Sequence, residues 1–589
     1  MKTQDDHTSL ATRGSYACSG TSPGTGGPCG AVLVTGGEAS YGRRMDDFSA
    51  RYADLLTGSY DCVDRIVLNA YSLGHNAGGF RVWWRRWHAD GDDSLDDNHL
   101  IRLAGRFARR LRGWAKANGV PVIDCAAGER KHRIAEDHLR DHPVGVGVFL
   151  ILVAKAPATV WKVKRSPKSG RIMNLEKTRQ FVNHYSFHIM DPTWGHLTIK
   201  MSGHPPFGAQ VILNGHEYVA SAAYAADVGF AKEGNCFTGI GKPERLAQIA
   251  DTLSQPGTAG RLGQVIDSWI YTACLCFGLD LAEQQASYFH YAYSVYQVEY
   301  SRNLIFDSPK RMERLFDTII NRTRTRLDLP MVRTLFGVGH RPHRPDPELS
   351  PRQGVVILRP QWNLTIFKIH FGLLTLKAYS KGERVLRFEA IVHNTKTLRT
   401  GRALDKFGAI VARLAGMVDR FTTMLDCIDT GFLPDGLLDQ LPTPSQIGAV
   451  RVGGIDTNKP RTRAAMTAVT ALALTPDGFS VTDLAATVHA QTGQHYTTRQ
   501  AAYDLRKLRG KRLVTKPGRG RRYRVPDDAA RTLSAILTLR DHVIAPVVAG
   551  ARKPVGRPRN TYTRIDRDYD TLRTGMRALF NDLGITTAA

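Results

Sequence analysis

The feature that most restricts the fold of this chain is a run of three short helices and a hairpin within residues 461–526. Ser480 is a typical N-cap for the second helix, and Gly493 is a typical residue to end it. Thr497 or Thr498 is placed to cap the third helix. The segments LVTKP and RYRVP flank a Gly-Arg tip and predict two short strands. These elements predict a small module of three helices and a two-stranded hairpin.

The same segment is strongly basic. Between Arg499 and Arg524 there are eleven cations and one acid, Asp504, in a chain of 589 residues whose net charge is +26. Net charge says little about the fold but indicates the kind of partner. A polyanion is therefore expected, with duplex DNA favoured and RNA possible.

In order and length, these elements resemble a winged helix-turn-helix domain. The resemblance implies that the third helix enters the major groove of DNA and that the wing contacts phosphates or the minor groove. A winged helix that binds protein is the alternative. The residues expected to contact the nucleic acid are Arg499, Gln500, Tyr503, Arg506, Lys507, Arg519, Arg521 and Arg522.

A second basic segment lies beyond this module, within the C-terminal helices expected over 527–589. The residues 553–559 resemble an AT-hook in their Gly-Arg-Pro core, although Val555 replaces the first arginine of the usual motif. The resemblance implies that Arg557 lies in a narrow minor groove. A basic linker before the last helix is the alternative interpretation.

The clearest helix in the first half covers residues 100–118. Its apolar residues recur at spacings of three and four, and no acid interrupts its six cations. Because like charges destabilise a helix face, an all-cation face favours a phosphate contact, with a solvated surface as the alternative. Arg102, Arg106 and Arg109 are the candidates.

The remaining pattern predicts an α+β protein: a β-rich central region with antiparallel sheets flanked by helices, followed by the C-terminal module. Residues 1–44 lack periodicity and are expected to be disordered. Residues 45–340 are interpreted as the first α+β part and 355–435 as its continuation, with a proline-rich linker at 340–354 between them.

The segment LKAYSKGERVLRFEAIV (376–392) resembles a hairpin of plasmid and filamentous-phage replication initiators. The resemblance implies DNA nicking by a tyrosine with a metal ion held by a histidine pair. It covers a small part of the chain. The preceding segment YQVEYSRNLIF (296–306) would suit a strand beside this hairpin. The catalytic candidates on the hairpin and this strand are Tyr296, Glu299, Tyr300 and Glu389.

Metal binding meets an obstacle at the expected histidine pair. His184 and His188 are four residues apart, which is about 13 Å on a strand and too far to chelate one ion. His188, His204 and His216 on neighbouring elements are the alternative metal ligands, and structural histidines are the other interpretation. Carboxylates such as Asp64, Glu299 and Glu389 could also converge on Mg²⁺ or Mn²⁺. The alternative is a structural ion pair of Glu389 with Arg387 or with a lysine of the next strand.

Other classes are disfavoured by missing motifs. The sequence contains no Walker A motif, no His-Glu-x-x-His motif and no Cys-x-x-Cys pair among its eight cysteines. It opens without the apolar segment of a signal peptide, and its most apolar run, 144–154, is too short to cross a bilayer as a helix. A cytoplasmic location without membrane contact is therefore expected.

Three functions remain open. The first is a DNA-binding protein of a plasmid or other mobile element, similar to a replication initiator. The second is a metal-dependent nuclease or recombinase with a central carboxylate or histidine site. The third is a non-catalytic regulator that binds DNA or RNA.

Overall fold

The computed structural model describes residues 46–324, 355–358, 366–429, 433–434, 436–475, 478–518 and 520–544, and a few residues between 564 and 575. The segments 1–44 and 340–354 lie outside the described residues, as do Arg519 and Arg557. The chain forms two compact units. The first contains Ser49–Phe316 and Val356–Val418, and the second contains Asp46–Phe48, Asp317–Val355 and Asp419–Ala589.

The helices and strands follow one another along both units. The helices are α1 (Asp47–Arg51), α2 (Ala77–Trp87), α3 (Asp97–Ala117), α4 (Lys131–Asp141), α5 (Gly215–Ala225), α6 (Pro243–Asp251), α7 (Thr258–Trp269), α8 (Leu281–Ala286), α9 (Pro309–Arg324), α10 (Phe407–Asp429), α11 (Leu437–Gln440), α12 (Pro460–Leu472), α13 (Val481–Thr492), α14 (Thr498–Gly510) and α15 (Asp527–Thr538). The strands are β1 (Leu56–Ser72), β2 (Val122–Asp124), β3 (Gly147–Arg165), β4 (Ile172–Asp191), β5 (Gly195–Ser202), β6 (Ala209–Asn214), β7 (Phe230–Lys232), β8 (Phe237–Ile240), β9 (Tyr291–Phe306), β10 (Val355–Leu358), β11 (Ile366–Phe371), β12 (Leu374–Lys381), β13 (Val385–Val392), β14 (Ser445–Ile447) and β15 (Val450–Val452).

Eleven of these strands form one large sheet in the order β10-β11-β12-β13-β9-β1-β6-β5-β4-β3-β2. The sheet is mixed, because β2 pairs parallel with β3 whereas β3 and β4 form a long antiparallel pair. The α+β prediction is thus confirmed at the level of a large central sheet flanked by helices. Since β13 pairs with β9, the segments 45–340 and 355–435 contribute strands to the same sheet.

One face of the sheet is apolar and is covered by aromatic side chains. Phe107 on α3 stacks against Tyr185 on β4, with ring centroids 4.8 Å apart. Phe277 stacks against Phe187, two residues further along the strand. Successive strand residues point to opposite faces, so Ser186 and His188 belong to the other face. The predicted apolar stripe of the 100–118 helix therefore packs against the sheet.

The opposite face is called the polar face below. At one end, α4 covers it, and Ala135 packs there with Leu150 and Leu152 of β3. Near the other end, Phe237 of β8 packs edge-on against Tyr60 of β1. The strands between these two covers present half-buried polar side chains.

The second unit has its own core, built mainly from the apolar faces of α12, α13, α14 and α15. Met466, Leu484, Leu505 and Leu533 are buried together in this core. The side chain of Ser480 accepts a hydrogen bond from Asp483 N, which caps α13. The backbone bridges Phe479↔Tyr523 and Thr515↔Arg524 join three extended segments beside the helices.

Candidate functional site

The polar face carries a continuous row of polar residues across neighbouring strands. The register places Lys200 of β5 opposite Gln210 of β6, and Gln210 opposite Asn69 of β1. Gln210 donates a hydrogen bond to Asn69 at 3.2 Å, and Gln297 of β9 donates one to Glu299 at 2.8 Å. These side chains are half-buried, so this part of the polar face differs from the apolar face of the sheet.

Glu299 and Glu389 form a pair of carboxylates on the polar face, where Glu299 is half-buried and Glu389 is buried. Glu389 lies opposite Ser301 of β9, which places it on the same face as Glu299. Lys377 of β12 donates to Glu389 at 2.8 Å. Burial and then the carboxylate of Glu389 raise the pKa of Glu299 to about 7, while Lys377 acts in the opposite direction. Carboxylates perturbed in this way are typical of functional sites that hold a proton or a hard divalent cation such as Mg²⁺ or Mn²⁺.

Asp64, at a β-bulge in β1, is the centre of a buried ionic network beside this pair. Arg387 and Asp64 are 0% and 1% exposed, and Arg387 Nη1 lies 3.4 Å from Asp64 Oδ2. Ser301 donates to Asp64 Oδ1 at 2.8 Å. Burial would raise the pKa of Asp64, but Arg387 and His216 hold it at about 2. Asp64 is therefore a charged structural centre.

Cys62, Asp64 and His216 are the one group of three potential metal ligands in the described part of the chain, with ligand atoms within 4.8 Å of one another. His216 Nδ1 lies 3.0 Å from Asp64 Oδ1, and its Nε2 lies 3.3 Å from the Tyr60 hydroxyl. The donor set suits zinc better than magnesium. It fits a cation poorly, because Arg387 already compensates Asp64 and burial raises the pKa of the Cys62 thiol well above its usual range.

The three histidines predicted as metal ligands have separate partners. His188 Nδ1 lies 3.0 Å from His196 Nε2 on the polar face. His204 Nδ1 lies 2.8 Å from the carbonyl oxygen of Pro205. His216 belongs to the Asp64 network. The described structure therefore does not bring His188, His204 and His216 together around one ion.

The predicted catalytic tyrosines do not join the carboxylate pair. Tyr300 alternates with Glu299 along β9 and so lies on the apolar face. It is buried, and its hydroxyl donates to Asp61 Oδ2 at 2.8 Å. Arg302 also binds Asp61, at 2.9 Å. Tyr296 is half-buried. The grouping of Tyr300 with Glu299 and Glu389 is thus not seen, since period-two alternation separates them.

The basic residues of α14 lie on its outer side. Arg499, Tyr503 and Arg506 are exposed and share a face, whereas Asp504 is buried on the opposite side. Arg461 pairs with Asp504 at 3.1 Å and Tyr496 donates to it at 2.8 Å, so the acid does not offset the exposed cations.

Four further residues of this region that were predicted to contact nucleic acid differ in their exposure and contacts. Gln500 Oε1 accepts a hydrogen bond from Thr497 N at 2.8 Å, so that oxygen caps the helix and is not available to a base. The Lys507 ammonium lies 4.9 Å from the centroid of the Tyr503 ring. Arg521 and Arg522 are exposed, and Arg522 donates to Gly478 O at 2.8 Å.

The arginines of α3 separate into two kinds. Arg106 binds Glu283 of α8 at 2.6 Å and lies over the Trp87 ring at 5.5 Å. Arg102 and Arg109 are exposed. A phosphate contact of Arg106 would therefore compete with its ion pair to Glu283, which lies 177 residues away in the chain.

Sequence reasoning missed three cations of the polar face: Arg65 of β1, Lys131 of α4 and Lys200 of β5. The signal was present for Lys200, because a lysine in the apolar strand LTIKM is unusual unless its face is solvated or bound to a partner.

Comparison with known proteins gives no relative: no protein-family model, curated protein or solved structure matches this chain. Within the residues that the structure describes, no helix is both long enough and apolar enough to span a membrane.

Proposed function

We propose that this protein binds duplex DNA through α14, and that residues 461–526 act as a winged helix-turn-helix domain. The observation that carries this proposal is the one-sided charge of α14. Arg499, Arg506 and Arg509 are exposed, while the acid Asp504 is buried and paired with Arg461. An uncompensated row of cations on an exposed helix is suited to the phosphate backbone and to base edges in the major groove.

The surrounding elements support this assignment. In a winged helix, a short strand before the second helix pairs with the wing, and the bridges Phe479↔Tyr523 and Thr515↔Arg524 have that connectivity. The capping box of Thr497 and Gln500 fixes where α14 begins. Its N-terminal turn, with Arg499 and Tyr503, would then point at the groove floor, and the segment containing Arg521 and Arg522 would follow the backbone.

Together with the segment 376–392, which resembles a hairpin of replication initiators, this domain favours the cellular role of a replication initiator of a plasmid or another mobile element.

Duplex binding through α14 is tested by fluorescence anisotropy with the full chain and with the double variant Arg499→Gln/Arg506→Gln. We expect a loss of affinity of at least about tenfold, since each lost contact is worth about 1–3 kcal/mol. Arg413→Gln, an exposed cation on α10, is the matched control. Equal affinities of the double variant and the wild type would contradict the proposal.

A second candidate function is metal-dependent cleavage of a phosphodiester. The observation that favours it is the Glu299–Glu389 pair beside Lys377 on the polar face. The two carboxylates would hold Mg²⁺ or Mn²⁺, which would supply charge neutralisation at the phosphate, and the Lys377 ammonium would orient Glu389.

Nicking of supercoiled plasmid tests this second function. Glu299→Gln and Glu389→Gln are expected to abolish cleavage, and Glu313→Gln, an exposed acid of α9, should retain it. Duplex binding without cleavage by the wild type in either metal would favour a non-catalytic DNA-binding regulator.

A further inference from the structure

The paired strands β3 and β4 form a strongly basic ribbon between Lys155 and Asn183. This segment contains eight cations and one acid, Glu176. The acid is already used within the ribbon, because Lys164 Nζ lies 3.5 Å from Glu176 Oε2. Most of the positive charge is therefore uncompensated by the ribbon itself. Such an excess of one sign attracts a polyanion.

One side of this ribbon is exposed over three successive cross-strand pairs, which are called the ribbon face below. All six residues are exposed, and the pairs are Lys155↔Asn183, Pro157↔Phe181 and Thr159↔Arg179. They share a face because side chains alternate along a strand, and the intervening Ala156, Ala158 and Val182 are half-buried. Directly opposite side chains start only about 5 Å apart, so the six form one continuous surface.

An aromatic ring lies at the centre of the ribbon face, with a cation on each strand beside it. The Phe181 side chain is 75% exposed. Lys155 and Arg179 form no ion pair and no side-chain hydrogen bond with any residue that the structure describes. The buried Trp161 is a contrast, because its indole donates to Gly74 O at 2.8 Å and Lys177 lies over its ring. Trp161 is thus part of the core, whereas the Phe181 ring is open to a ligand.

We propose that the ribbon face binds a single-stranded nucleic acid, with one base stacked on Phe181 and the flanking phosphates bound by Lys155 and Arg179. An exposed aromatic ring within a cationic surface is the arrangement by which proteins bind single strands without reading their sequence. A duplex suits this surface less, because its bases are stacked on one another and cannot cover the ring. An acidic protein segment would use the two cations but not the ring. The ribbon belongs to the first unit, so this proposal does not depend on DNA binding by α14.

The test measures the affinity of the full chain for a labelled oligothymidylate by fluorescence anisotropy. All proteins carry Arg499→Gln/Arg506→Gln, so that binding by α14 does not mask the ribbon face. Phe181→Ala should weaken binding at least about fivefold, the effect of losing one base stack, and Phe181→Trp should retain it. Tyr224→Ala is the matched control, because it removes an aromatic side chain of α5 that is 78% exposed. Thermal unfolding should be the same for all these variants, since the replaced side chains are exposed.

The salt dependence of the same binding reports the two cations. Lys155→Gln and Arg179→Gln should each lower the slope of log affinity against log salt concentration by about 0.7, the value for one phosphate of a single strand. Arg413→Gln should leave this slope unchanged. Unchanged affinity of Phe181→Ala, or an equal loss with a duplex of the same length, would overturn stacking of an unpaired base. Displacement of the labelled strand by polyglutamate as effectively as by unlabelled oligothymidylate would overturn the nucleic acid in favour of an acidic protein partner.

Discussion

Glu299 and Glu389 lie on the adjacent antiparallel strands β9 and β13 and face the same side of the sheet. Burial and the charge of Glu389 raise the pKa of Glu299 to about 7. Replacing Glu389 by Gln should therefore lower the pKa of Glu299. Carbon-detected NMR titration of the carboxyl groups measures this directly, with Glu313→Gln as the control. An unchanged titration of Glu299 in the Glu389→Gln variant would show that the two carboxylates do not interact.

The raised pKa of Glu299 also has a consequence for stability. The folded chain holds this proton more tightly than the unfolded chain does, so its contribution is present at low pH and is lost as pH rises from 4.5 to about 7. The Glu299→Gln variant should lose less unfolding free energy across this window than the wild type. Urea unfolding at several pH values checks this, and parallel pH profiles of the two proteins would contradict it.

Asp64 and Arg387 form the most deeply buried ion pair of the polar-face network. Arg387→Met leaves the Asp64 charge buried with less compensation, and we expect a loss of about 3–5 kcal/mol in unfolding free energy. Arg384→Met, an exposed control in the preceding turn, should change stability by less than about 0.5 kcal/mol. Similar denaturation midpoints for the two variants would contradict the structural role given to Arg387.

The pKa of Asp64 works in the opposite direction from that of Glu299. It is lowered from 3.8 to about 2, so the stability it contributes is present above pH 3.8 and is lost as pH falls towards 2. In acid unfolding, Asp64→Asn should remove part of the pH dependence between these limits. A profile identical to that of the wild type would contradict this.

Tyr300 is buried and bound to Asp61, whereas Tyr296 is half-buried. If cleavage proceeds through a phosphotyrosyl adduct, the adduct should therefore persist in Tyr300→Phe. Tyr300→Phe should instead cost about 1 kcal/mol of stability, because one buried hydrogen bond is removed. Loss of the adduct in Tyr300→Phe with full stability would contradict this assignment.

The start of α14 depends on Thr497, whose side chain accepts a hydrogen bond from Gln500 N at 3.2 Å. Thr497→Ala should destabilise the second unit by about 1 kcal/mol, and the exposed neighbour Thr498→Ala should have a smaller effect. Thermal unfolding followed by circular dichroism distinguishes the two variants. A larger effect at Thr498 would mean that the helix begins one residue later.

Local patterns in the sequence predicted the local structure well. Ser480, Gly493 and Thr497 mark the ends of α13 and α14, because caps depend on residues a few positions apart. The strand preceding the replication-initiator-like hairpin was also predicted, as β9. Its place beside the hairpin was expected as well, and β9 pairs with β13. The pairing of β9 with β1 on its other side was not predicted, because strand partners far apart in the chain leave no local signal.

The site was only partly predictable for the same reason. Glu299 and Glu389 stood out as carboxylates in apolar strands, and the structure brings them together. Arg106, in contrast, meets Glu283 across 177 residues, so its ion pair could not be foreseen. Alternation along β9 separates Tyr300 from Glu299, whereas the register of β9 with β13 decides that Glu389 shares the face of Glu299.

The most direct test of the central claim is the salt dependence of duplex binding by the full chain. Each phosphate contact contributes about 0.9 to the slope of log affinity against log salt concentration, so Arg499→Gln/Arg506→Gln should lower the slope by nearly two if both arginines contact phosphates. Arg413→Gln should leave the slope unchanged. A double variant with the wild-type slope and affinity would contradict DNA binding through α14.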